Sequence, residues 1–244
     1  MASSPDAESS RLSGRVAVVT GGTGGIGRAC AEQLAAAGAH VVVVARGMDQ
    51  VRETATQCGG LPVVADVGTE TGIARVVEAV TTLQAEGPDI VVHAAGAFAL
   101  APLAATSVEA FDRMIAVNLR GAFLLMRAFL PGMLARGSGH IVTIGSVAGR
   151  QAFPSNGAYS ASKFGARGLH AVLAAELRGT GVRATFVEPS ATDTGLWEDI
   201  DRDRNPGLPS REQMMSAAAV GDAVLYAVTR PADTAVPNIL VERA

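Results

Sequence analysis

The sequence predicts a doubly wound α/β fold, in which a mostly parallel sheet of seven strands is covered by helices on both faces. Short β-branched runs alternate with longer helical patterns from one end of the chain to the other. The strand runs are almost continuously apolar, as at residues 41–44, which is typical of strands buried on both faces of a parallel sheet. The length of 244 residues suits one such domain with a large core.

Seven strands are predicted, at residues 16–20, 40–45, 62–65, 90–93, 140–145, 183–187 and 239–241. Six helices are predicted between them, at residues 26–37, 49–57, 70–84, 108–134, 158–178 and 217–228. Gly38 follows the first helix, at a position where a C-terminal cap glycine is expected. Because right-handed crossovers join successive parallel strands, we expect the ligand cleft at the carboxyl ends of the strands.

Composition excludes several classes of function. The formal net charge of −3 provides no basic field to hold nucleic acid or an anionic membrane. No apolar run approaches the ~20 residues that a membrane span needs. Two cysteines, Cys30 and Cys58, give no disulfide framework and are expected to be reduced. Residues 1–13 are polar and lack the apolar region of a signal peptide, so we expect a disordered tail and a cytoplasmic protein.

A glycine-rich segment, Thr-Gly-Gly-Thr-Gly-Gly-Ile-Gly, leads from the first predicted strand directly into a helix. Glycines there allow a tight turn and a close approach of the backbone to a pyrophosphate, and the N-terminus of the helix favours an anion. Two registers fit, Gly22, Gly24 and Gly27 or else Gly21, Gly25 and Gly27, and the spacing alone does not choose between them. The strand–loop–helix context predicts a Rossmann-type dinucleotide site in either register.

The end of the second predicted strand indicates which dinucleotide binds. The strand ends in Ala45 and Arg46 with no carboxylate at its tip, and Asp49 follows only in the next helix. An acidic residue at this point binds the 2′-hydroxyl of NAD, whereas an arginine accommodates the 2′-phosphate of NADP. The sequence therefore favours NADP(H), although Arg46 would also suit a solvated surface.

The only lysine of the chain, Lys163, lies four residues after Tyr159, which is one of two tyrosines. On a helix, residues at this spacing share one face. A free phenol has a pKa of about 10, and an adjacent cation favours the phenolate. The pair therefore predicts a tyrosine that exchanges a proton with a carbonyl or alcohol oxygen. A surface pair would be the favoured interpretation if the motif stood alone.

Two further polar residues support a reactive site. Ser146 follows a predicted strand at its carboxyl end, where its hydroxyl would be placed to hold a substrate oxygen beside the phenol. Asn118 interrupts an apolar helical stretch, where an unpartnered amide would destabilise the fold. We therefore expect Asn118 to bond a specific partner, and a water or a backbone carbonyl are equal alternatives.

Residues 189–213 form a long irregular stretch that is rich in proline, glycine and charge. A loop of this length inside a compact domain is usually a lid or a binding loop. We expect it to cover the substrate within a single dinucleotide-binding domain of residues 14–244. Trp197 would supply an apolar wall there, although the mixed charges of the loop equally suit a solvated surface.

Taken in chain order, these residues resemble the short-chain dehydrogenase/reductase family from about residue 12 to residue 242. The matching motif positions are Thr20, Gly21, Gly25, Gly27, Asp66, Asn118, Ser146, Tyr159 and Lys163. The 13-residue gap from Ser146 to Tyr159 also looks like that of the family. The resemblance selects the glycine register of Gly21, Gly25 and Gly27.

The resemblance also implies a role for each motif residue. It makes Tyr159 the acid/base, Lys163 the contact to the cofactor ribose, and Ser146 the contact to the substrate oxygen. It lets Asn118 hold a water of the proton relay and Asp66 bond the adenine. The residues implied to bind the cofactor are Gly21, Thr23, Gly25, Ile26, Gly27, Arg46, Asp66, Val67, Ala95, Gly96, Tyr159, Lys163, Pro189, Thr192 and Thr194, the last at the nicotinamide carboxamide.

Two positions depart from the family pattern. The family often has Asn-Asn-Ala-Gly after the fourth strand, whereas this chain has His93-Ala94-Ala95-Gly96, which changes the local hydrogen bonds. After the sixth strand, Ser190 stands where the family has the glycine of a Pro-Gly turn, which leaves the shape of that turn open.

The resemblance implies an NADP(H)-dependent oxidoreductase that interconverts a small-molecule carbonyl and a secondary alcohol by hydride transfer. One alternative is a 3-oxoacyl-carrier-protein reductase of fatty acid or polyketide synthesis, for which Arg120, Arg127 and Arg167 are candidate docking residues. The other is a catalytically inactive NADP(H)-binding sensor, which would be expected to lack Tyr159 or Lys163.

The family often forms homodimers or homotetramers through two long helices, here residues 108–134 and 158–178, so a homo-oligomer is expected. The four histidines, at positions 40, 93, 140 and 170, show no spacing typical of metal ligands. No metal is therefore expected.

Overall fold

A computed structural model of the protein describes residues 11–198, 200 and 207–244. Its sheet has seven strands in the order β3-β2-β1-β4-β5-β6-β7, and all six pairings between neighbours are parallel. The strands are β1 (Val16–Thr20), β2 (His40–Ala45), β3 (Leu61–Val64), β4 (Ile90–His93), β5 (Gly139–Ile144), β6 (Val182–Pro189) and β7 (Asn238–Val241). The predicted doubly wound, single-domain fold is confirmed.

The helices are α1 (Gly25–Ala36), α2 (Met48–Cys58), α3 (Glu70–Leu83), α4 (Val108–Met114), α5 (Gly121–Arg136), α6 (Gly157–Glu176) and α7 (Ala217–Val228). Every predicted element is present, and its ends differ from the prediction by at most two residues. Local chemistry fixes several of these ends. Thr69 caps α3 by accepting from the Gly72 amide at 3.0 Å, and Gly38 has the positive φ of +95° that a residue after α1 needs.

Two apolar layers cover the sheet. Helices α3, α5 and α6 pack on one face, where Leu125 is fully buried, and α1, α2 and α7 pack on the other, where Leu34 is fully buried. Successive strand residues alternate between the layers, so that Val18 belongs to the first and Val19 to the second. The inner strands are therefore buried on both faces, as their continuous apolarity predicted.

The predicted helix at 108–134 is a continuous helical stretch over Val108–Arg136 that contains a π-helical segment, Ile115–Arg120. By length and composition this 29-residue stretch could cross a membrane, so the prediction that no apolar run approaches such a length was wrong. Leu125 and Phe129 of the same stretch are buried in the first apolar layer. It is thus a core helix, and the widened turn places Asn118 inside the fold.

The two irregular regions are tied to the domain. Leu12, predicted to be part of a disordered tail, is buried and its amide donates to Ala37 O at 2.8 Å, so the tail prediction was wrong for residues 11–13. Residues 1–10 lie outside the described part. In the 189–213 loop, Thr192 forms a parallel bridge with Met215, and the Asp193 amide donates to Met215 O at 2.8 Å. Residues 199 and 201–206 of this loop are not among those described.

Candidate active site

A cleft of about 420 Å³ opens at the carboxyl ends of the strands, where doubly wound sheets bind their ligands. The glycine-rich loop after β1 forms one side, and the loops after β2, β3, β4 and β6 complete it. The predicted cofactor residues that line it are Gly21, Thr23, Gly25, Ile26, Gly27, Arg46, Asp66, Val67, Ala95, Gly96 and Thr194. The structure thus brings together most of the positions that the sequence singled out.

The glycine loop has the geometry of the Gly21, Gly25 and Gly27 register. Gly21 and Gly25 have positive φ angles of +66° and +48°, a region that disfavours any side chain. A Cβ on Gly27 would lie 2.1 Å from the carbonyl oxygen of Gly21. By contrast, a Cβ on Gly24 would meet nothing within 4 Å. The backbone therefore requires glycine at the three positions of this register.

Arg46 directly follows β2, lines the cleft there and is exposed. Its neighbour Gln50, which sequence reasoning missed, also lines the cleft, and its side chain folds over Gly47 so that a Cβ there would lie 2.1 Å from Gln50 Oε1. The sequence offered no signal for Gln50, because Arg46 precedes helix α2, which begins at Met48. Arg113, which also lines the cleft, was missed because nothing in the sequence relates helix α4 to this loop.

Four predicted cofactor residues do not line the described cleft: Tyr159 and Lys163, which are described below, and Pro189 and Thr192. Pro189 ends β6 and pairs with Val241, and the Thr192 hydroxyl donates to Ser190 O at 3.0 Å. Ser190 continues the pairing by donating its amide to Val241 O at 2.9 Å. Among the described non-glycine residues only Ser155 has a positive φ, so serine at position 190 is accommodated without a left-handed turn.

Ser146, Tyr159 and Lys163 lie together at the carboxyl end of β5. Ser146 follows this strand and caps the short turn after it, its hydroxyl accepting from the Ala148 amide at 3.1 Å. Tyr159 and Lys163 occupy successive turns of α6, with Lys163 Nζ 5.6 Å from the centroid of the Tyr159 ring. Lys163 is buried and donates to Ile144 O at 2.9 Å. The predicted reactive residues are thus neighbours.

Burial dominates the proton affinities of this pair. Burial raises the pKa of Tyr159 to about 12, although a hydrogen bond with Ser146 acts in the opposite direction. Burial also lowers the pKa of Lys163 to about 8. The prediction that the lysine would draw the phenol pKa below its usual value was therefore wrong for this structure. Lys163 donates to a backbone oxygen instead of to the phenol, and the desolvated phenolate remains unfavourable. At neutral pH Tyr159 is a protonated acid.

Asn118 has the specific partners that its burial required. Its Oδ1 accepts from the Ala97 amide at 2.8 Å, and its Nδ2 donates to Ala97 O and to Ser162 Oγ, both at 2.9 Å. Ser162 in turn donates to Tyr159 O at 2.7 Å. The amide thereby connects the loop after β4 to the turn of α6 that carries Tyr159. The water predicted beside Asn118 stays a prediction.

His93, which departs from the family pattern at the end of β4, forms hydrogen bonds through both ring nitrogens. Nδ1 lies 3.0 Å from Thr20 Oγ1, and Nε2 lies 3.2 Å from Val117 O in the π-helical segment. Thr20 Oγ1 also accepts from the Ala95 amide at 3.3 Å. Burial, together with the nearby Lys163, lowers the pKa of His93 to about 3, so the ring is neutral. It connects β1, β4 and the helix beside the cleft.

Two aromatic rings adjoin the Tyr159 ring. Phe98 lies with its centroid 4.8 Å from that of Tyr159 and 5.1 Å from that of Trp197, both in edge-to-face contact. Trp197 thus lies beside the site, which was one of the two interpretations that the sequence left open, whereas sequence reasoning missed Phe98. Among the described residues, no group of three or more His, Cys, Asp or Glu side chains is placed to hold a metal ion.

Comparison with known proteins places the chain among enzymes of one kind. A family model described as short chain dehydrogenase matches residues 15–205. The glycine betaine reductase of Emericella nidulans is 38% identical over 95% of this chain, which spans 19% of that much longer protein. An oxidoreductase of Staphylococcus epidermidis is 34% identical, with 93% of this chain and 96% of the relative covered. A metagenomic short-chain oxidoreductase solved in complex with NADP is 32% identical, covering 96% of this chain and 100% of the other with a TM-score of 0.81.

Proposed function

The chain belongs to the short-chain dehydrogenase/reductase family of oxidoreductases, and from that premise we propose that it reduces a carbonyl to an alcohol with NADPH, and catalyses the reverse reaction with NADP⁺. The observation that carries the proposal is the convergence of Ser146, Tyr159 and Lys163 beside a cleft with a phosphate-binding loop. The substrate oxygen would lie at the Tyr159 hydroxyl.

The site's own residues supply the proton chemistry. Burial keeps the Tyr159 phenol protonated, which is the form that donates to a carbonyl oxygen as negative charge develops on it. Ser146 would hold the same oxygen, and its hydrogen bond favours the phenolate that remains after the transfer. Lys163, with its pKa lowered to about 8, lies at the ring where its charge would stabilise that phenolate.

The residues present fit a nicotinamide dinucleotide. A Cβ on Gly21 would lie 2.7 Å from the backbone of Ala95, so glycine there keeps the cradle open beside the first turn of α1. Arg46 at the end of β2, with no carboxylate beside it, supports NADP(H) as the cofactor. When bound, the cofactor supplies the hydride. The complex of a similar oxidoreductase with NADP supports the same choice.

The two alternatives find less support. The arginines considered for docking a carrier protein are engaged within the chain, since Arg120 donates to Gly68 O at 2.7 Å and Arg167 is paired with the buried Glu188. Arg127 lies 4.0 Å from Glu70. A sensor without activity would have no use for the assembled acid and lysine.

The similarity to glycine betaine reductase bears on the choice of substrates. That relative, by its name, reduces a small carboxylate that bears a trimethylammonium group. Carbonyl compounds with the same substituent are therefore the first candidates for this chain.

We further propose a cytoplasmic homodimer or homotetramer. Its support is a set of exposed apolar side chains on the two long helical stretches, Phe111, Phe123, Phe164 and Val172. Covering such side chains with a second copy would remove apolar surface from water.

The proposed function is tested by following the absorbance of reduced cofactor with a panel of aldehydes and ketones. We expect turnover with NADPH, with a Kd at least about tenfold lower than that for NADH. Ala45→Asp should reverse the preference, because the new carboxylate repels the 2′-phosphate and bonds a free ribose hydroxyl. A protein that binds NADPH yet reduces no carbonyl in the panel would contradict the proposal.

A further inference from the structure

Three aromatic side chains form a wall at the reacting end of the site. The rings of Phe98 and Tyr159 meet at an interplanar angle of 73°, and those of Phe98 and Trp197 meet at 65°. At these steep angles the rings meet edge to face and do not stack. The chain has one Trp, two Tyr and seven Phe, so its only indole and the catalytic phenol share this one corner.

The wall is held in a fixed orientation. Trp197 Nε1 donates to Thr192 O at 3.0 Å, and Thr192 is itself buried and bridged to Met215. Because the polar edge of the indole is bonded to the backbone, the ring offers π surface to anything beside it. Phe98, Tyr159 and Trp197 are each only half-buried, so part of that surface is accessible.

The electrostatic setting suits a cation. One face of the Tyr159 ring already has an ammonium in range, since Lys163 Nζ lies 5.6 Å from the centroid. That ammonium donates to Ile144 O and, with a pKa of about 8, keeps its charge at neutral pH, so a second cation would have to lie against Phe98 and Trp197, away from Lys163. Glu198 follows Trp197 directly and is exposed, and the whole chain carries a net charge of −3.

We propose that the wall of Phe98, Tyr159 and Trp197 recognises a trimethylammonium group carried on the carbon next to the substrate's carbonyl carbon, an inference that rests on the carbonyl reduction proposed above. A quaternary ammonium has no N–H to donate, so hydrogen bonds cannot select it. Aromatic faces within about 6 Å attract it instead.

The substituent also assists the chemistry. With hydride supplied by NADPH, which would become NADP⁺, the carbonyl carbon would gain a C–H bond and the oxygen would take the proton of Tyr159 Oη, giving an alcohol. An ammonium on the carbon next to the carbonyl withdraws electrons. It thereby stabilises the negative charge that develops on the carbonyl oxygen before the proton is transferred. The wall would therefore bind the group that makes the carbonyl reactive.

The test compares two aldehydes of the same shape. Betaine aldehyde carries the trimethylammonium group, and 3,3-dimethylbutanal has a quaternary carbon in place of the nitrogen. We expect kcat/KM with NADPH to be at least about tenfold higher for the cation. Phe98→Leu keeps apolar bulk but removes a π face, so it should bring the ratio of the two kcat/KM values close to one, whatever its effect on the rate with the neutral aldehyde. Tyr226→Leu, on the distant helix α7, is the matched control and should leave the preference unchanged.

A binding measurement separates this inference from the proposed function. Trp197 is the only tryptophan, so fluorescence excited selectively at tryptophan reports on this wall alone. With NADP⁺ present, choline should quench or shift the emission at a Kd at least about tenfold lower than its neutral isostere 3,3-dimethylbutan-1-ol, and Phe98→Leu should remove the difference.

Equal Kd values for choline and its isostere, or a faster reduction of the neutral aldehyde, would overturn the trimethylammonium inference and leave carbonyl reduction standing. Selective choline binding without reduction of either aldehyde would instead retain the recognition site and contradict the proposed reaction.

Discussion

At the scale of single residues, the sequence predicted which groups react but not how the fold holds them. The spacing of Tyr159 and Lys163 placed them on one face of a helix, and the structure has them there. Their proton affinities could not be predicted, because they depend on how deeply each group is buried and on the bond from Lys163 to Ile144 O. The sequence did not predict that Phe98 contacts Tyr159, because a single phenylalanine carries no pattern that indicates its partners in the fold.

Tyr159→Phe tests the assignment of the acid. The substituted ring still packs against Phe98, so folding and NADPH affinity should be retained, whereas turnover should fall by about 10²-fold or more because the transferable proton is gone. Cofactor titration and steady-state kinetics measure the two effects separately. Tyr226→Phe serves as the control, since that side chain lies exposed on α7. Near-normal turnover in a folded Tyr159→Phe protein would mean that another group protonates the substrate.

At the scale of elements, periodicity and apolar runs predicted the seven strands and six helical stretches to within two residues, but none of the short 3-10 helices such as Gly195–Trp197. They could not predict the π-helical segment Ile115–Arg120, because its extra turn width depends on tertiary bonds made by Asn118 and by the carbonyl of Val117. Spacing alone left two glycine registers open, and the family resemblance selected Gly21, Gly25 and Gly27, whose backbone atoms leave no room for a Cβ at Gly27. Elements follow from local pattern, whereas their junctions follow from contacts distant in sequence.

His93 forms contacts of this kind, and its replacement tests how much they stabilise the fold. His93→Leu would leave Thr20 Oγ1 and Val117 O without their ring partners inside the fold. We expect a loss of about 1–3 kcal/mol in the free energy of unfolding, measured by urea denaturation. His93→Asn, which keeps a donor and an acceptor, should lose less. His40→Leu at an exposed strand end should change stability by less than about 0.5 kcal/mol. Equal stability of His93→Leu and the natural protein would show that these bonds contribute nothing.

At the scale of the whole molecule, three buried histidines make the fold sensitive to acid. Burial lowers the pKa of His93 and His140 to about 3 and that of His170 to about 4. Each ring is neutral in the folded protein, and His140 bonds only through Nε2, 2.8 Å from Thr185 Oγ1. In the unfolded chain the same imidazoles titrate near their ordinary value of about 6.5. Between these values the unfolded state binds more protons than the folded state.

The protein should therefore lose stability as the pH falls below about 6.5. Above pH 6.5 both states are neutral at these rings and no stability is lost, whereas on acidification toward pH 4 each histidine lowers the free energy of unfolding by up to about 1.4 kcal/mol per pH unit. Urea denaturation at pH 7.5, 6 and 5 should therefore show a steep loss of stability, about 2 kcal/mol per buried histidine by pH 5. His170→Asn should reduce the slope by one histidine's share, even if it lowers stability at pH 7.5. His40→Asn, at an exposed position, is the variant with which this change is compared. A free energy of unfolding that stays constant from pH 7.5 to pH 5 would mean that the buried rings accept protons without unfolding, and their assignment as neutral core residues would have to be abandoned.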